Sequence, residues 1–166
     1  FRGEIFDFFN NKELFLKILI SSIPIMIVGY FLVKINFIEQ IRNIKVIGWT
    51  TLIFGILLYF SDQSKIKNKI DSSFTLKTAI LIGLLQILSL VPGVSRSGIA
   101  ITGARALKFS RYDSAKISFL LSIPTLAAVS IFGFNNLLKS ENLEFSFLMI
   151  ISVILSFLFS LITIKY

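Results

Sequence analysis

The sequence of 166 residues contains no cysteine and no histidine, and only 16% of its residues are charged. Without those two residue types the chain cannot form a disulfide, a cysteine nucleophile, a histidine-based catalytic triad or a zinc site that they hold. A soluble domain usually carries about 25% charged residues, whereas 55% of this chain is hydrophobic and its mean hydropathy is +0.84. The composition excludes a disordered chain and predicts an integral membrane protein with a single transmembrane domain.

Apolar segments of about 20 residues, the length that crosses a bilayer, mark the predicted transmembrane helices. We predict five spans, of which the third is slightly short: 14–33, 44–60, 76–91, 114–134 and 145–164. Between the third and fourth spans, residues 92–108 are too few and too polar to cross alone and are predicted to be re-entrant. No stretch shows sustained strand alternation. The predicted fold class is therefore an all-α, polytopic membrane protein with inverted repeats and a re-entrant helical segment.

The inverted repeats are inferred from a short internal echo. Ser22-Ile23-Pro24 recurs as Ser122-Ile123-Pro124, and each copy lies in an apolar span that a short polar loop joins to another span. Many membrane transport folds are built from repeats of opposite orientation. The echo predicts that spans 14–33 and 114–134 run antiparallel across the membrane.

The net charge of +8 is interpreted as a topology signal, because no basic face with interleaved aromatics indicates nucleic-acid binding. With the N-terminal tail on side A and residues 92–108 returning to side B, we count eight cations against six. Side A carries Arg2, Lys12, Lys17, Lys65, Lys67, Lys69, Lys77 and Lys139, and side B carries Lys34, Arg42, Lys45, Lys108, Arg111 and Lys116. Side A is therefore expected to face the cytoplasm, and residues 92–102 are expected to open toward the outer face.

The run from Pro92 to Gly98 is the part of the sequence that carries chemistry. Proline and glycine interrupt the helix, and Arg96 follows the break at membrane depth, where an arginine is a functional hypothesis by default. The guanidinium fork suits phosphate, Ser95 and Ser97 add hydroxyls, and a restarting helix would aim its N–H groups at the same point. The alternative is an external loop and a short amphipathic helix whose arginine reaches the interface.

Further candidates lie around this run. Ser95, Gly98, Thr102 and Arg105 follow helical spacing and form one polar stripe that could line a cavity. Gln86, inside a span, needs a polar partner, either the ligand or a neighbouring helix. The Lys65-x-Lys67-x-Lys69 pattern is interpreted as a topology or lipid-headgroup feature. No pair of acidic residues in the sequence resembles a metal-binding site.

Residues 92–98, PGVSRSG, closely resemble the PGxSRSG motif of the bacitracin-resistance family of undecaprenyl-diphosphate phosphatases. The resemblance continues through residues 110–112, SRY, and 118–124, SFLLSIP, and it includes 83–86 and Ile23-Pro24 with Gly29. It therefore covers nearly the whole chain, and the combination of the two longer motifs is specific. The family often has a threonine four residues after the arginine, and this chain has Ala100 there. Thr102 could partly substitute for that threonine.

The resemblance implies an inner-membrane enzyme that removes the terminal phosphate of undecaprenyl diphosphate, with the active site toward the outer side. Arg96 matches the arginine thought to hold the diphosphate, and Ser95, Ser97 and Gly98 match the rest of that motif. Ser95 and Ser97 are expected to act in catalysis as hydrogen-bond donors to the phosphate or, alternatively, as a nucleophile. The family's glutamate-rich and serine–histidine motifs precede the region that begins here, and residue 1 is Phe, so we expect a fragment that is inactive alone. The missing part is expected to supply the acid/base group and any Mg²⁺ or Ca²⁺ ligands, since this chain shows none.

Two other hypotheses stay open at this point. A transporter or flippase of an anionic lipid would use the same re-entrant architecture, and a non-catalytic remnant would keep the motif without turnover. The expected partners are undecaprenyl diphosphate and the lipid bilayer. A homodimer is also among the expected partners, because truncation would expose the surface that the missing repeat covers.

Overall fold

The computed structural model describes residues 11–139 and 147–165, and within these ranges the regular structure is helical. The chain divides into two compact units, the first ending at Val129 and the second beginning at Ser130. The eight α-helices of the described part are α1 (Lys12–Lys34), α2 (Phe37–Ile41), α3 (Ile44–Asp62), α4 (Ile70–Ser73), α5 (Leu76–Gln86), α6 (Arg96–Ala106), α7 (Arg111–Lys139) and α8 (Phe147–Lys165), with a 3₁₀ turn at Ile87–Leu90. The all-α membrane fold class is confirmed.

Three helices are long and apolar enough to cross a membrane. They are α1, α3 and the stretch Arg111–Asn135 of α7, which contain the predicted spans 14–33, 44–60 and 114–134. N-cap asparagines mark the starts of α1 and α3. The side chains of Asn11 and Asn43 accept hydrogen bonds from the amides of Leu14 and Lys45, respectively. The last predicted span coincides with α8 from residue 147 onward, and its first two residues lie outside the described part of the chain.

The predicted span 76–91 is instead the first arm of a re-entrant hairpin. Helix α5 and its 3₁₀ extension form an apolar helical stretch, Leu76–Leu90, that is shorter than the three spanning helices. The chain reverses at Pro92–Gly93, and α6 runs back alongside α5, where a Cβ on Gly103 would lie 2.8 Å from Leu85 Cδ1. Because α6 has only 11 residues, the second arm is about 16 Å long, roughly half of a bilayer core.

Both arms of the hairpin end on the same side, which corrects the predicted return of residues 92–108 to side B. The amides of Lys67 and Asn68 donate to the Lys108 carbonyl at 3.0 and 3.1 Å, and Asn68 Nδ2 donates to the Leu107 carbonyl at 2.8 Å. The loop that precedes α5 therefore touches the turn that follows α6. The sequence suggested a crossing because α5 is predominantly apolar, a property that a spanning helix shares with a buried hairpin arm.

The corrected hairpin changes the charge count for the described residues of the first unit. Leaving aside Arg96 and Arg105 of α6, nine cations now lie toward side A: Lys12, Lys17, Lys65, Lys67, Lys69, Lys77, Lys108, Arg111 and Lys116. Three remain toward side B, namely Lys34, Arg42 and Lys45. The charge asymmetry between the two sides is thus much stronger than the sequence-based count of eight against six.

The predicted antiparallel pairing of spans 14–33 and 114–134 is wrong. Helices α1 and α5 run in the same direction, because a Cβ on Gly83 would lie 1.9 Å from the Ser21 carbonyl and one on Gly29 would lie 3.5 Å from Leu90. Within the first unit, α7 follows α6 after a short turn, and its Thr125 contacts Arg96 at the start of α6. This part of α7 is therefore antiparallel to α6, and α5 is antiparallel to α6 as well. Helices α1 and α7 are therefore parallel, and the Ser-Ile-Pro echo does not mark an inverted pair.

The core of the first unit lies where α1, α5, α6 and α7 meet. Small residues on α6 let the helices approach closely, and Ala100 and Ala104 are fully buried. The side chains that pack around them are fully buried as well: Ile18 of α1, Ile82 of α5, and Ile117 and Leu121 of α7. Close packing against these helices fixes the position of α6 and hence of the residues at its N-terminus.

Candidate functional site

The site is built on the hairpin turn, which α3 holds in place. Thr50 Oγ1 donates to the Pro92 carbonyl at 2.7 Å, and Thr51 Oγ1 donates to the Gly93 carbonyl at 3.0 Å. Gly93 has a φ of +93°, and a Cβ there would lie 2.2 Å from Thr50 Oγ1 and 2.6 Å from the Ile47 carbonyl. Only glycine fits this turn, because any side chain would meet both backbone strain and a collision.

The N-terminus of α6 presents two exposed serines. Ser95 is the N-cap residue, and its Oγ accepts a hydrogen bond from the Gly98 amide at 3.2 Å. Its hydroxyl also lies 3.2 Å from the Ser97 hydroxyl, so the two groups form a pair at the helix start. The unpaired amides of this first turn and the positive end of the helix dipole point toward the same place.

Arg96 is half-buried between α6 and α7, and Thr125 orients it. Arg96 Nη1 donates to Thr125 Oγ1, and Thr125 is only 4% exposed. The Thr125 hydroxyl lies 3.0 Å from the carbonyls of Leu121 and Ser122, so it donates its own proton there and accepts from the guanidinium. Because this is the one hydrogen bond of Arg96 within the described residues, the remaining guanidinium N–H donors are available to a ligand.

A second contact ties this helix start to α7. Ser118, the first residue of the SFLLSIP segment, donates from its Oγ to the Ser97 carbonyl at 3.3 Å. The two motifs that the sequence analysis linked therefore meet in space, with Thr125 directly after the second of them. The result is a fixed set of donors, comprising a guanidinium, two hydroxyls and a helix N-terminus, that suits a phosphate group.

The predicted stripe along α6 is split by the structure. Ser95 and Gly98 lie beside Arg96, whereas Thr102 lies farther along the helix, where its hydroxyl donates to the Gly98 carbonyl at 2.8 Å. Its own carbonyl accepts from Ser61 Oγ at 2.6 Å. Ala100, at the position where the family often has threonine, is fully buried in the core.

Arg105, the last residue of the stripe, lies at the far end of α6 and is 3% exposed. Its Nη1 donates to the Phe109 carbonyl at 2.5 Å, and its Nη2 donates to the carbonyls of Asp62 and Ser64 at 2.5 and 2.8 Å. Its Nε donates to Asp62 Oδ1 at 3.1 Å. This guanidinium holds the protein together at that end, about 13 Å along the helix from Arg96.

Gln86 lies at the end of α5 and is 1% exposed. Its backbone carbonyl accepts from Ser89 Oγ at 2.7 Å, while its Oε1 has no hydrogen-bond partner within the described residues. Within the described part of the chain, no hydrogen bond connects Gln86 with Arg96 or with the two serines beside it. A buried acceptor of this kind is costly without a donor, and its role stays a prediction.

The sequence analysis did not identify the residues that hold the hairpin turn and Arg96, nor those that hold the opposite end of the hairpin. Thr50, Thr51 and Thr125 orient the turn and Arg96, and Asp62 accepts hydrogen bonds from Arg105 and from Arg111, whose Nη2 lies 2.5 Å from Oδ2. Thr125 could have been suspected from its place directly after Pro124 in a motif. The partners on α3 carry no sequence signal, because only the folded hairpin brings residues about 40 positions apart into contact.

The described residues contain no group of three or more acidic, histidine or cysteine side chains that could hold a metal ion. The residues beside Arg96 are hydroxyls and N–H donors, which do not fit a divalent cation that prefers carboxylate oxygens. The chemistry that these residues offer is therefore the binding and orientation of an anion.

Comparisons with known proteins identify the family of the chain. The family model "Bacitracin resistance protein BacA" matches residues 4–166. The chain belongs to this family. Its relatives include the undecaprenyl-diphosphatase of Pelagibacter ubique strain HTCC1062, which is 48% identical over 167 residues, covering 100% of this chain and 65% of the relative.

Two further BacA-family relatives match a shorter region. The undecaprenyl-diphosphatase of Ruegeria sp. strain TM1040 is 44% identical over 119 residues, covering 72% of this chain and 45% of the relative. That of Dinoroseobacter shibae strain DSM 16493 is 49% identical over 113 residues, covering 68% of this chain and 42% of the relative. The chain thus spans less than two thirds of the length of each of these three relatives.

Proposed function

We propose that this chain carries the diphosphate-binding half of an undecaprenyl-diphosphatase. The name that its relatives share supplies the reaction: hydrolysis of the terminal phosphoanhydride bond of undecaprenyl diphosphate, which releases phosphate and leaves undecaprenyl phosphate. The observation that carries the proposal is the half-buried Arg96 with free donors at the turn of a re-entrant hairpin, held by Thr125.

In this proposal Arg96 is the electrostatic clamp of the reaction. Its guanidinium binds two oxygens of the diphosphate and stabilises the charge that develops on them as the terminal phosphoryl group departs. Ser95 and Ser97 donate hydrogen bonds to the remaining oxygens, and the first amides of α6 add two further donors. Thr125, Thr50 and Thr51 keep these groups in register with each other, which removes reorganisation from the reaction.

The orientation follows from the corrected charge distribution. The proposal places side A in the cytoplasm of the inner membrane, because nine cations lie there against three on side B. Thr50 follows the start of α3 by six residues, so the turn that it holds lies about 9 Å below side B. The site accordingly opens toward the outer side in this proposal.

Phosphate release by the full-length protein tests the proposal. The purified protein is expected to release inorganic phosphate from undecaprenyl diphosphate, and Arg96→Ala is expected to abolish turnover while Arg111→Ala, at the far end of the hairpin, largely retains it. Transport of the intact lipid between leaflets of a vesicle without phosphate release would favour a flippase and overturn the proposal. Homodimer formation stays a prediction, which light scattering of the detergent-solubilised protein checks.

A further inference from the structure

The Lys65-x-Lys67-x-Lys69 pattern finds a partner in the folded chain. The hydrogen bonds from the Lys67 and Asn68 amides to the Lys108 carbonyl bring a fourth lysine, 40 residues away in sequence, against this loop. Lys108 adopts a left-handed conformation with φ of +67°, which lets the chain turn sharply between α6 and α7. All four lysines are exposed, and we call them the lysine patch.

Basic residues outnumber acidic ones in the sequence around the lysine patch. Segments 61–77 and 105–116 carry eight lysines and arginines against three aspartates, Asp62, Asp71 and Asp113. The Asp62 carboxylate is already occupied by Arg105 and Arg111. Within the described residues, no salt bridge involves a lysine of the patch. The patch therefore presents a field of uncompensated positive charge to whatever lies beside it.

The position of the patch selects its partner. It lies where α3 and α6 end, which is the level at which a spanning helix leaves the hydrocarbon core. Ile66, between two of the lysines, is 63% exposed, and Tyr112 nearby is 58% exposed. Apolar and aromatic side chains among lysines are typical of a surface that inserts into the headgroup region of a bilayer.

We propose that the lysine patch is a binding site for anionic phospholipid headgroups. A phosphatidylglycerol-type headgroup offers one phosphate charge and an adjoining acyl chain, which fit the lysines and Ile66 respectively. Because the loop from Gln63 to Lys69 joins the lysine patch directly to Asp62 at the end of α3, a bound lipid would stabilise the end of the hairpin opposite to Arg96. The site is independent of the diphosphate chemistry, from which the length of α6 separates it.

Local lipid composition around residue 66 tests this proposal. In the full-length protein with no other cysteine, a fluorophore on Ile66→Cys is compared with one on Ile35→Cys, which lies beyond α1 on side B and is also exposed. The protein is placed in phosphatidylcholine bilayers that contain a small share of brominated phosphatidylglycerol. The label at residue 66 is expected to be quenched more strongly than the label at residue 35, because brominated phosphatidylglycerol is enriched around the patch. This difference is expected to weaken as salt is raised.

Matched charge removal supplies the control. Lys65→Gln, Lys67→Gln and Lys108→Gln together are expected to lower the local enrichment at least fivefold, since each cation near the surface contributes about that factor. Lys34→Gln, Arg42→Gln and Lys45→Gln remove the same charge from side B and should leave it unchanged. Equal quenching at the two labels, equal quenching by brominated phosphatidylcholine, or enrichment that survives the patch substitutions would each overturn the proposal.

Discussion

The two ends of the re-entrant hairpin use arginine in opposite ways. At the closed end, around Pro92–Ser97, Arg96 makes a single hydrogen bond to a threonine hydroxyl within the described residues. At the open end, around Asp62 and Lys108, Arg105 is 3% exposed and its donors meet one carboxylate and three carbonyls. A guanidinium without a charged partner is ready for an anionic ligand, whereas a fully occupied one stabilises the fold.

The largest expected effect is at the closed end. In the full-length protein Arg96→Lys should lower phosphate release by about 10²–10³, because lysine keeps the charge but not the planar fork. The matched substitution at the open end, Arg111→Lys, keeps a cation beside Asp62 and should have little effect on turnover. Steady-state phosphate release with matched expression of both variants checks the contrast, and equal losses would remove the distinction between the two ends.

A backbone substitution at the turn should come next. Gly93→Ala places a Cβ within 2.6 Å of the Ile47 carbonyl at a positive φ, so the turn must shift. Because a displacement of about 1 Å can cost roughly 10²-fold in rate, turnover should fall by about that factor. Gly55→Ala in α3, which meets nothing within 4 Å, is the control. Normal activity of Gly93→Ala would show that the turn does not set the position of Arg96.

Removal of the Thr125 hydroxyl should have an intermediate effect. Thr125→Val preserves the shape of the side chain but leaves Arg96 without its acceptor, so turnover should fall about tenfold, the magnitude of one hydrogen bond to a charged group. Thr125→Ser should recover most of the activity. In an Arg96→Lys background, Thr125→Val should cost much less, since its effect passes through the guanidinium. A full additive loss in the double variant would contradict the positioning role.

The smallest effect on turnover is expected at Asp62. Asp62→Asn removes the charge that faces Arg105 and Arg111, and the loss of the charged partner of the buried Arg105 should lower stability. The apparent melting temperature in detergent should drop, while phosphate release at low temperature stays near its normal value. Glu39→Gln on the short helix α2, which is exposed, is the control. Loss of turnover without loss of stability would place Asp62 in the chemistry instead.

Much of the site was predictable from local sequence. Pro92 and Gly93 predict the break, and Arg96 after it predicts an anion site, because each of these residues has few alternative roles at membrane depth. The partners were not predictable, since Thr50, Thr51 and Asp62 become neighbours of the motif only through the return of α6. Threonine on an apolar helix usually bonds to its own backbone, so nothing in the sequence distinguishes these from the others.

The topology shows the same limit. An apolar run of 15 residues is compatible with a tilted crossing, a core helix or one arm of a hairpin. An assignment from length and hydrophobicity therefore took Leu76–Leu90 for a spanning helix. That single error moved Lys108, Arg111 and Lys116 to the wrong side and weakened the charge asymmetry. The three-residue Ser-Ile-Pro echo failed for a different reason. Proline is more frequent in membrane helices than in soluble ones, so a short match of this kind recurs whatever the direction of the helix and carries no orientation.

The most direct test of the account is the sidedness of Lys108. Single cysteines are placed at residues 34, 67 and 108 of a full-length protein with no other cysteine, and a membrane-impermeant maleimide is applied to sealed spheroplasts and to inverted vesicles. Residues 67 and 108 should both react from the cytoplasmic side, and residue 34 from the opposite side. Reaction of residue 108 from the same side as residue 34 would mean that the segment crosses the membrane, and the hairpin that positions Arg96 would not exist.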